Sequence, residues 1–288
     1  VDNEELFFRN LMGEEDIFKL NDEIEIKIPF KGLLPNIEKI NDSTLSKKIG
    51  ALEILRKELA SNYLSYIGPF RRKMERVYAK KFELTTNVGI EGEFTPQILF
   101  NQDAKIEFEL INKINKWMRK HLEKTSLELL KDSSSFSINI KKNNISTNIV
   151  DHGVGFSQLL PLITSKFCRS LSENFGMEIV EQAELHLHPA MCGSIIDLYL
   201  SEFNISDTII LETHSKEIIF RLRRRIAEDK DKVLMNKSQL IFVDQNEDGS
   251  SISYINFLED GSCSWWPDGV FEESYEDIIA IEEAVNGN

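Results

Sequence analysis

The sequence predicts an α/β fold built on a parallel sheet flanked by helices. Three observations carry that prediction. The second half alternates short apolar runs with helical stretches: Met177 to Val180, a helix opened by Pro189, Asp207 to Leu211, a helix opened by Ser215, then Gln239 to Asp244. Strand, helix, strand, helix, strand at this spacing is the pattern of parallel strands joined by crossover helices. The three runs are also largely apolar, as strands covered on both faces are, although Glu178 interrupts the first. Finally, polar residues gather just past the runs, at Glu181-Gln182, His214-Ser215 and Asp244-Gln245. In such sheets ligands collect beyond the C-terminal strand ends. The plainer account of that last observation is that strand ends are simply polar.

Composition sets the outer limits. The 288 residues hold 34 Lys and Arg against 48 Asp and Glu, a net charge of −14. With 41% hydrophobic and 28% charged residues, wholesale disorder is excluded. No apolar run reaches the roughly 18 residues that a membrane span needs, and the first residues do not read as a secretory leader. Cys168, Cys192 and Cys263 stand apart, in neither a disulfide framework nor a zinc-knuckle spacing, so a reducing cytoplasm is expected. The acidic balance makes the surface as a whole a poor binder of nucleic acid, although a local basic patch could still serve. Beyond Lys237 there is no Lys or Arg at all, so the C-terminal segment cannot track phosphates.

The elements follow in order. Glu23 to Phe30 (EIEIKIPF) alternates polar and apolar, the period of a half-buried strand. Ser43 and Thr44 are candidate caps for a helix through Leu59. Tyr63 to Ile67 reads as a buried strand ended by Gly68-Pro69. From Ile106 to Leu130 a long amphipathic helix is expected, because Ile111, Ile114, Trp117, Met118 and Leu122 recur at helical spacing. His121 on that helix reads as a surface residue. Ser135 to Ile140 and Ser146 to Val150 are short strands around a Lys-Lys-Asn-Asn turn. A helix from Ser157 to Asn174 would carry Pro161 in its first turn, where proline is tolerated. The later helices run from Pro189 to about Phe203 and from Ser215 to about Lys230. These elements divide into helical and β additions over residues 1–150, a core over 151–245 and an acidic segment over 246–288. Within that segment, Trp265-Trp266-Pro267 is either an ordinary anchor or a contact for another chain. The basic run Arg221, Arg223, Arg224 and Arg225 reads first as an acid-paired helix face, with contact to nucleic acid or an acidic partner as the sharper alternative.

Three motifs carry the chemistry. Ile179-Val180-Glu181-Gln182-Ala183-Glu184-Leu185-His186-Leu187-His188-Pro189 delivers carboxylates to a strand end. Carboxylate oxygens suit Mg²⁺ beside substrate phosphates, and an acid that ends a mostly apolar strand, as Glu181 does after Met177 to Val180, resembles the Walker B arrangement. Ile210-Leu211-Glu212-Thr213-His214-Ser215 sets a histidine at the end of the neighbouring strand, where it can reach a terminal phosphate or orient a water. Its plain reading is a helix capped by Ser215 with His214 incidental. Asp151-His152-Gly153-Val154-Gly155-Phe156-Ser157-Gln158 joins glycines and a serine to the free amides of a helix N-terminus, an anion site or simply a capped turn.

In this order, the three motifs resemble the C-terminal half of ABC-type ATPases. More narrowly, the chain resembles prokaryotic AAA-labelled ATPases that read EQPELHLHP, then ETHS, and close on a WPDG-type tail. Several of these belong to anti-phage defence operons, such as the Septu ATPase, or sit beside overcoming-lysogenisation-defect nucleases. The matching text here is EQAELHLHP, ETHS and WWPDGVF, with Tyr66 to Arg71 and Gly89 to Phe94 resembling the group's YLGPLR and VGxDGE segments. The likeness runs from about Tyr63 onward. It implies a protein that binds ATP and Mg²⁺ between two protomers. Gly155, Ser157 and Gln158 match the signature loop that contacts the partner's γ-phosphate. Glu181 matches the Mg²⁺-linked acid, and Gln182 the position of the catalytic Glu. His186 and His188 fall in the D-loop, and His214 at the switch histidine. It further implies a homodimer or higher oligomer, a cytoplasmic location and control of an effector protein such as a nuclease.

Two departures qualify this. Gln182 cannot accept a proton, so slow hydrolysis is expected unless Glu181 or Glu184 serves as the base, and this supports the alternative of a nucleotide-binding sensor or scaffold that does not hydrolyse. Ala183 replaces the usual proline. The sequence also contains no G-x-x-x-x-G-K-[ST] loop, without which no Walker nucleotide site is complete. With a first residue that is Val1 rather than Met, an upstream Walker A lobe is the expectation. A different enzyme class stays open on the residues alone. Glu184, His186 and His188 alternate, so in a strand they would share a face and could hold Zn²⁺ or Mn²⁺ in a metal-dependent hydrolase.

Overall fold

The computed structural model describes residues 16–20, 24–28, 30–31, 34–35, 64–81, 85, 87–100, 104–171, 176–202, 207–246, 249–271, 279–282 and 284. The chain divides into two compact units, Val1–Leu64 and Ser65–Asn288. In the first, β1 (Asp16–Leu20) and β2 (Ile24–Ile28) form an antiparallel hairpin with Phe18 opposite Ile26. β3 (Phe30–Lys31) and β4 (Leu34–Pro35) pair antiparallel. The alternating stretch from Glu23 to Phe30 thus supplies β2 and the start of β3. The helix expected over Ser43 to Leu59 lies outside the described residues.

The second unit contains β5 (Leu64–Ile67), β6 (Tyr78–Ala79), α1 (Thr95–Phe100) and α2 (Ala104–His121). The helix expected to reach Leu130 stops at His121. Glu123 and Lys124 adopt φ of +48° and +61°, which breaks the helical path. Beyond them Ser126–Lys131 forms β7, whose first residues alternate in burial, the two-residue period of a strand. The Asn115 side chain holds the join, donating to the Leu127 carbonyl at 3.0 Å and accepting from the Leu127 amide. β7 pairs antiparallel with β8 (Ser135–Lys142), which also pairs with β6 and with β9 (Ile145–Asn148). The β8–β9 turn places Asn143 and Asn144 at φ +50° and +66°, the left-handed pair a tight hairpin wants. On the inner side of this sheet Phe136 stacks on Phe100 at 4.6 Å and on Tyr78 at 5.4 Å. Leu110, Ile114 and Met118, one turn apart on α2, are fully buried.

After a 3₁₀ turn at Ile149–Asp151, α3 (Val154–Leu171) begins three residues before the expected Ser157. Pro161 therefore lies inside the helix, not in its first turn, and leaves the Ser157 carbonyl without a helical donor. Gly92, at φ +72°, comes so near that a Cβ there would lie 2.6 Å from Pro161 Cγ.

β10 (Met177–Glu181), α4 (Pro189–Leu200), β11 (Thr208–Glu212) and α5 (Lys216–Glu228) complete the predicted alternation. β10 and β11 are parallel, with Ile179 opposite Ile210, and the sheet order is β11-β10-β5. This is the α/β architecture expected, a parallel sheet flanked by helices, but its third member differs. A short helix, α6 (Val233–Lys237), precedes β12 (Leu240–Asn246), which turns back on β13 (Gly249–Ile255) as an antiparallel hairpin. The third strand of the parallel sheet's own path is β5. Burial explains the misreading. Leu240 and Phe242 are half-buried, whereas Ile241 and Val243 are 52% and 62% exposed, so β12 is covered on one face only. Opposite them, Ile252 and Tyr254 are exposed as well, giving the hairpin an apolar outer stripe. β11 likewise exposes Thr208, Ile210 and Glu212, so it is not covered on both faces as its apolar run implied. Phe203, the expected end of the Pro189 helix, lies outside the described residues.

Two side-chain networks knit the helices. Asp197 on α4, 5% exposed, accepts from Arg221 and Arg225 of α5 and lies 3.5 Å from His121 of α2. His121 is therefore not a surface residue: its side chain is 12% exposed and stacks on Trp117 at 4.9 Å. Burial holds its pKa below the ordinary histidine value, against the pull of Asp197. Arg224 pairs with Glu228, so the basic run is the acid-paired face that its plainer reading predicted. Arg223 Nε donates to the Gly261 carbonyl at 2.7 Å, which docks the C-terminal segment on α5. Trp265, 40% exposed, donates to the Tyr254 carbonyl and meets Phe242 edge-on, and half-buried Trp266 donates to the Val270 carbonyl. Among the described residues, no helix is long and apolar enough to cross a membrane.

Candidate functional site

Because β10 and β11 run parallel in register, they end together, with Glu181 opposite Glu212. Both side chains point to the same face of the sheet. Glu181 Oε1 accepts a hydrogen bond from the Tyr66 hydroxyl of β5 at 2.8 Å. That bond, then desolvation and the charges of Glu181 and Glu212, raises the Tyr66 pKa above its ordinary value. A phenol held as a donor fixes one carboxylate oxygen and leaves the other for a ligand. The donor set here is two carboxylates and a hydroxyl, hard oxygens that fit Mg²⁺ beside phosphate.

Arg71 braces the same strand end from below. It is 5% exposed, and its Nη2 donates to the backbone carbonyls of Glu181 at 2.7 Å and Gln182 at 3.1 Å. Burial lowers its pKa, opposed by Tyr199 and Glu184. Its Nε and Nη1 lack partners among the described residues, as do the buried Tyr199 hydroxyl and Glu184 Oε2. Gln158 Nε2 donates to the Arg71 carbonyl at 3.1 Å. Gln182 then takes φ +43° and His186 φ +63°, turning the chain sharply away from the strand. Amides of Leu185 and Leu187 close this turn on the carbonyls of Gln182 and Glu184.

The turn reaches across to the neighbouring strand. Glu184 Oε1 accepts from the backbone amide of His214 at 2.7 Å. The His214 side chain is exposed, and the next residue starts α5: Ser215 Oγ accepts from the Ile218 amide at 3.4 Å and donates to Glu217 at 2.8 Å. His188 caps α4 with Nδ1, which accepts from the Ala190 amide at 3.2 Å, so its neutral ring carries the proton on Nε2. His186 is exposed.

The glycine and serine motif meets the same turn from α3. A Cβ on Gly155 would lie 3.1 Å from the His186 carbonyl, so the two segments touch. Ser157 and Gln158 are 7% and 4% exposed and sit within the helix, Gln158 bound to Arg71. Ahead of them, Thr147 Oγ1 and His152 Nε2 share a 2.5 Å contact, and Asp151 forms a two-point ion pair with Arg76.

Glu181, Gln182, Glu184, His214, Gly155 and Gln158 thus fall in one connected neighbourhood, with His186 and His188 on the turn between β10 and α4. The face shared by Glu184, His186 and His188 does not form, because residues 183–186 are a turn rather than a strand. Among the described residues no group of three His, Cys, Asp or Glu side chains could hold a metal ion, which corrects the metal-hydrolase alternative. Tyr66, Arg71 and Glu212 were not singled out as site residues from sequence. Glu212 had a signal, since it ends an apolar run just as Glu181 does.

No protein-family model matches the chain. No curated protein matches it either. Among solved structures, one from a study of ATP-driven dimerization and DNA-stimulated activation of SMC ATPases aligns with TM-score 0.41 and 15% identity, over 61% of this chain and 93% of that one. An Smc head bound to the C-winged helix domain of ScpA aligns with TM-score 0.41 and 15% identity, over 59% of this chain and 51% of that one. An Smc head domain with a coiled coil and joint from Pyrococcus yayanosii gives TM-score 0.38 and 14% identity, over 54% and 28%.

Proposed function

We propose that this chain is part of an ABC-type ATPase that binds Mg-ATP at a dimer interface, hydrolyses it and gates an associated effector in a prokaryotic defence system. The observation that carries the reading is the end of the parallel pair: Glu181, positioned by Tyr66 and Arg71, stands beside Glu212 and is linked through Glu184 to the His214 segment. Carboxylates at the ends of parallel strands, with a histidine on the adjacent strand end, suit phosphoryl chemistry.

In this reading Glu181 and Glu212 hold Mg²⁺, which when bound neutralises charge on the phosphates. His214 projects from the strand end toward the terminal phosphate. Gln182 orients a water through its amide but takes no proton, and Glu184, tied to His214, is the nearest carboxylate on that turn. Gly155, Ser157 and Gln158 lie at the start of α3, and there they form the surface offered to the partner's nucleotide, with His186 and His188 lining the approach. Because Ser157 and Gln158 are buried in the single chain, this contact requires the start of α3 to shift when two protomers meet. The phosphate loop comes from polypeptide outside these 288 residues, which contain no G-x-x-x-x-G-K-[ST].

ATP turnover tests the reading, measured with the protein joined to the segment that supplies the phosphate loop and compared with Glu181→Gln. Turnover that falls at least a hundredfold in the variant supports it. Turnover indifferent to the change removes Glu181 from the metal site. A second reading, a nucleotide-gated scaffold that does not hydrolyse, is favoured by one residue: the strand end carries Gln182 where a base is needed. ATP binding without turnover in the unmodified protein selects it.

A further inference from the structure

A second cavity, built from other elements, lies between α2 and the C-terminal end of α4. It encloses about 540 Å³, within the range of small-molecule sites. Lys113, Lys116 and Lys120 of α2 line it at spacings of three and four, which places all three on one helix face. Arg225 of α5 faces them, Trp117, Phe167 and Leu200 supply apolar wall, and among the described residues the carboxylates lining it are Asp197 and Glu202.

Those carboxylates are already engaged. Asp197 is held by Arg221 and Arg225, and Glu202 by Lys113 and Ser170. Lys116 and Lys120 are exposed, and among the described residues no acid pairs with either. Two like charges one helical turn apart destabilise a helix unless something neutralises them. In a chain of net charge −14, a concave surface carrying this excess of cations is set apart from its surroundings. The floor carries a further mark: the indole N–H of Trp117, a residue 4% exposed, has no acceptor among the described residues.

We infer that this cavity binds a small phosphorylated ligand, whose phosphates lie across Lys116 and Lys120 and whose remaining surface rests on the apolar wall beside Trp117. An open but local concavity with an apolar side suits a small molecule better than a nucleic-acid backbone, which asks for an extended basic track. The Asp197 network sits behind the lysines, so an anion there also bears on how α2, α4 and α5 are held together.

The test is isothermal titration of the 288-residue chain with inorganic pyrophosphate in EDTA, where the carboxylate site at the strand ends has no metal. Binding that weakens at least tenfold in Lys116→Glu and in Lys120→Glu, and is unchanged in Glu181→Gln, supports the site. Both lysines are exposed, so these variants are expected to fold, and circular dichroism checks that they do. No binding by the unmodified chain overturns the proposal, as does binding indifferent to both lysine changes. Displacement of pyrophosphate by short duplex DNA at lower concentration also overturns it, in favour of a nucleic-acid surface. Loss of ATP turnover in Glu181→Gln with pyrophosphate binding intact separates the fate of this site from that of the ATPase reading.

Discussion

The backbone amide of His214 donates to the Glu184 carboxylate at 2.7 Å, joining the loops that leave two neighbouring parallel strands. A hydrogen bond to a charged acceptor contributes about 1.5–3 kcal/mol. Replacing Glu184 by Ala removes it and frees the His214 segment, while Gln keeps an acceptor oxygen. Amide exchange at residues 213–215 is expected to accelerate about tenfold or more in Glu184→Ala and to change little in Glu184→Gln. Equal protection in all three proteins would show that the bond does not hold the segment.

Tyr66 and Glu181 make a second expectation, read by ultraviolet titration of tyrosinate. The phenol is raised above its ordinary pKa first by its bond to Glu181 and then by desolvation and nearby negative charge. Glu181→Gln removes the charged acceptor, so the phenolate forms at lower pH. Tyr66→Phe removes that titrating group altogether and identifies it. A titration curve unchanged by Glu181→Gln would mean that the two groups are not in contact in solution.

Glu178 lies fully buried on β10, takes a 2.5 Å hydrogen bond from Ser165 Oγ and leaves Oε2 unpartnered. Burial raises its pKa. A carboxyl raised in the folded state adds stability that is complete below its unfolded pKa and is lost as pH climbs through the folded value. Glu178→Gln, which keeps an acceptor for Ser165, escapes that loss. The melting temperature of the variant minus that of the unmodified protein is therefore expected to increase from pH 4.5 upward. A difference that is flat with pH would show Glu178 to be charged and compensated.

Gly261 sits at φ +77°, and a Cβ there would lie 2.3 Å from the Arg223 carbonyl. Gly261→Ala must move the turn off α5, at a cost of about 1–3 kcal/mol. The Arg223 to Gly261 bond would be lost with it. A lower denaturation midpoint with increased proteolysis after residue 257 is the expected result. An alanine variant as stable as the parent would mean that this segment does not dock.

Thiol chemistry gives a simple check on burial. Desolvation pushes the Cys168 thiol up to about 11 and raises Cys192 as well, and both side chains are buried. Cys263 is only half-buried. At pH 8 a thiol reagent is expected to modify Cys263 first and to reach Cys168 only on unfolding. Rapid labelling of Cys168 in the native protein would contradict its place in the core.

The alternation of β10, α4, β11 and α5 was legible because each element carries its own local sign: an apolar run, Pro189 at a helix start, Ser215 as a cap. The fate of β12 was not. A short apolar run reads the same whether it enters a parallel sheet or folds back on the next strand, and only the alternation of Ile241 and Val243 with Leu240 and Phe242 separates the two. The break after His121 was hidden because Leu127 continues an apolar pattern while Glu123 and Lys124, ordinary helix formers, take left-handed conformations imposed by the tertiary structure. The strand-end residues Glu181, Gln182 and His214 could be read from motifs. Tyr66 and Arg71 lie more than a hundred positions from the carboxylate and carbonyls they hold, and no local pattern announces such a bond.

The outer stripe of Ile241, Val243, Ile252 and Tyr254 has a colloidal consequence. A twisted ribbon with such a face is adhesive toward a copy of itself, and mutual repulsion between chains of net charge −14 opposes that contact at neutral pH. As acid protonates the surplus carboxylates, that repulsion fades while the stripe stays unchanged. Solutions should therefore turn cloudy in mild acid before the fold is lost, and charged substitutions at Val243 and Ile252 should keep them clear.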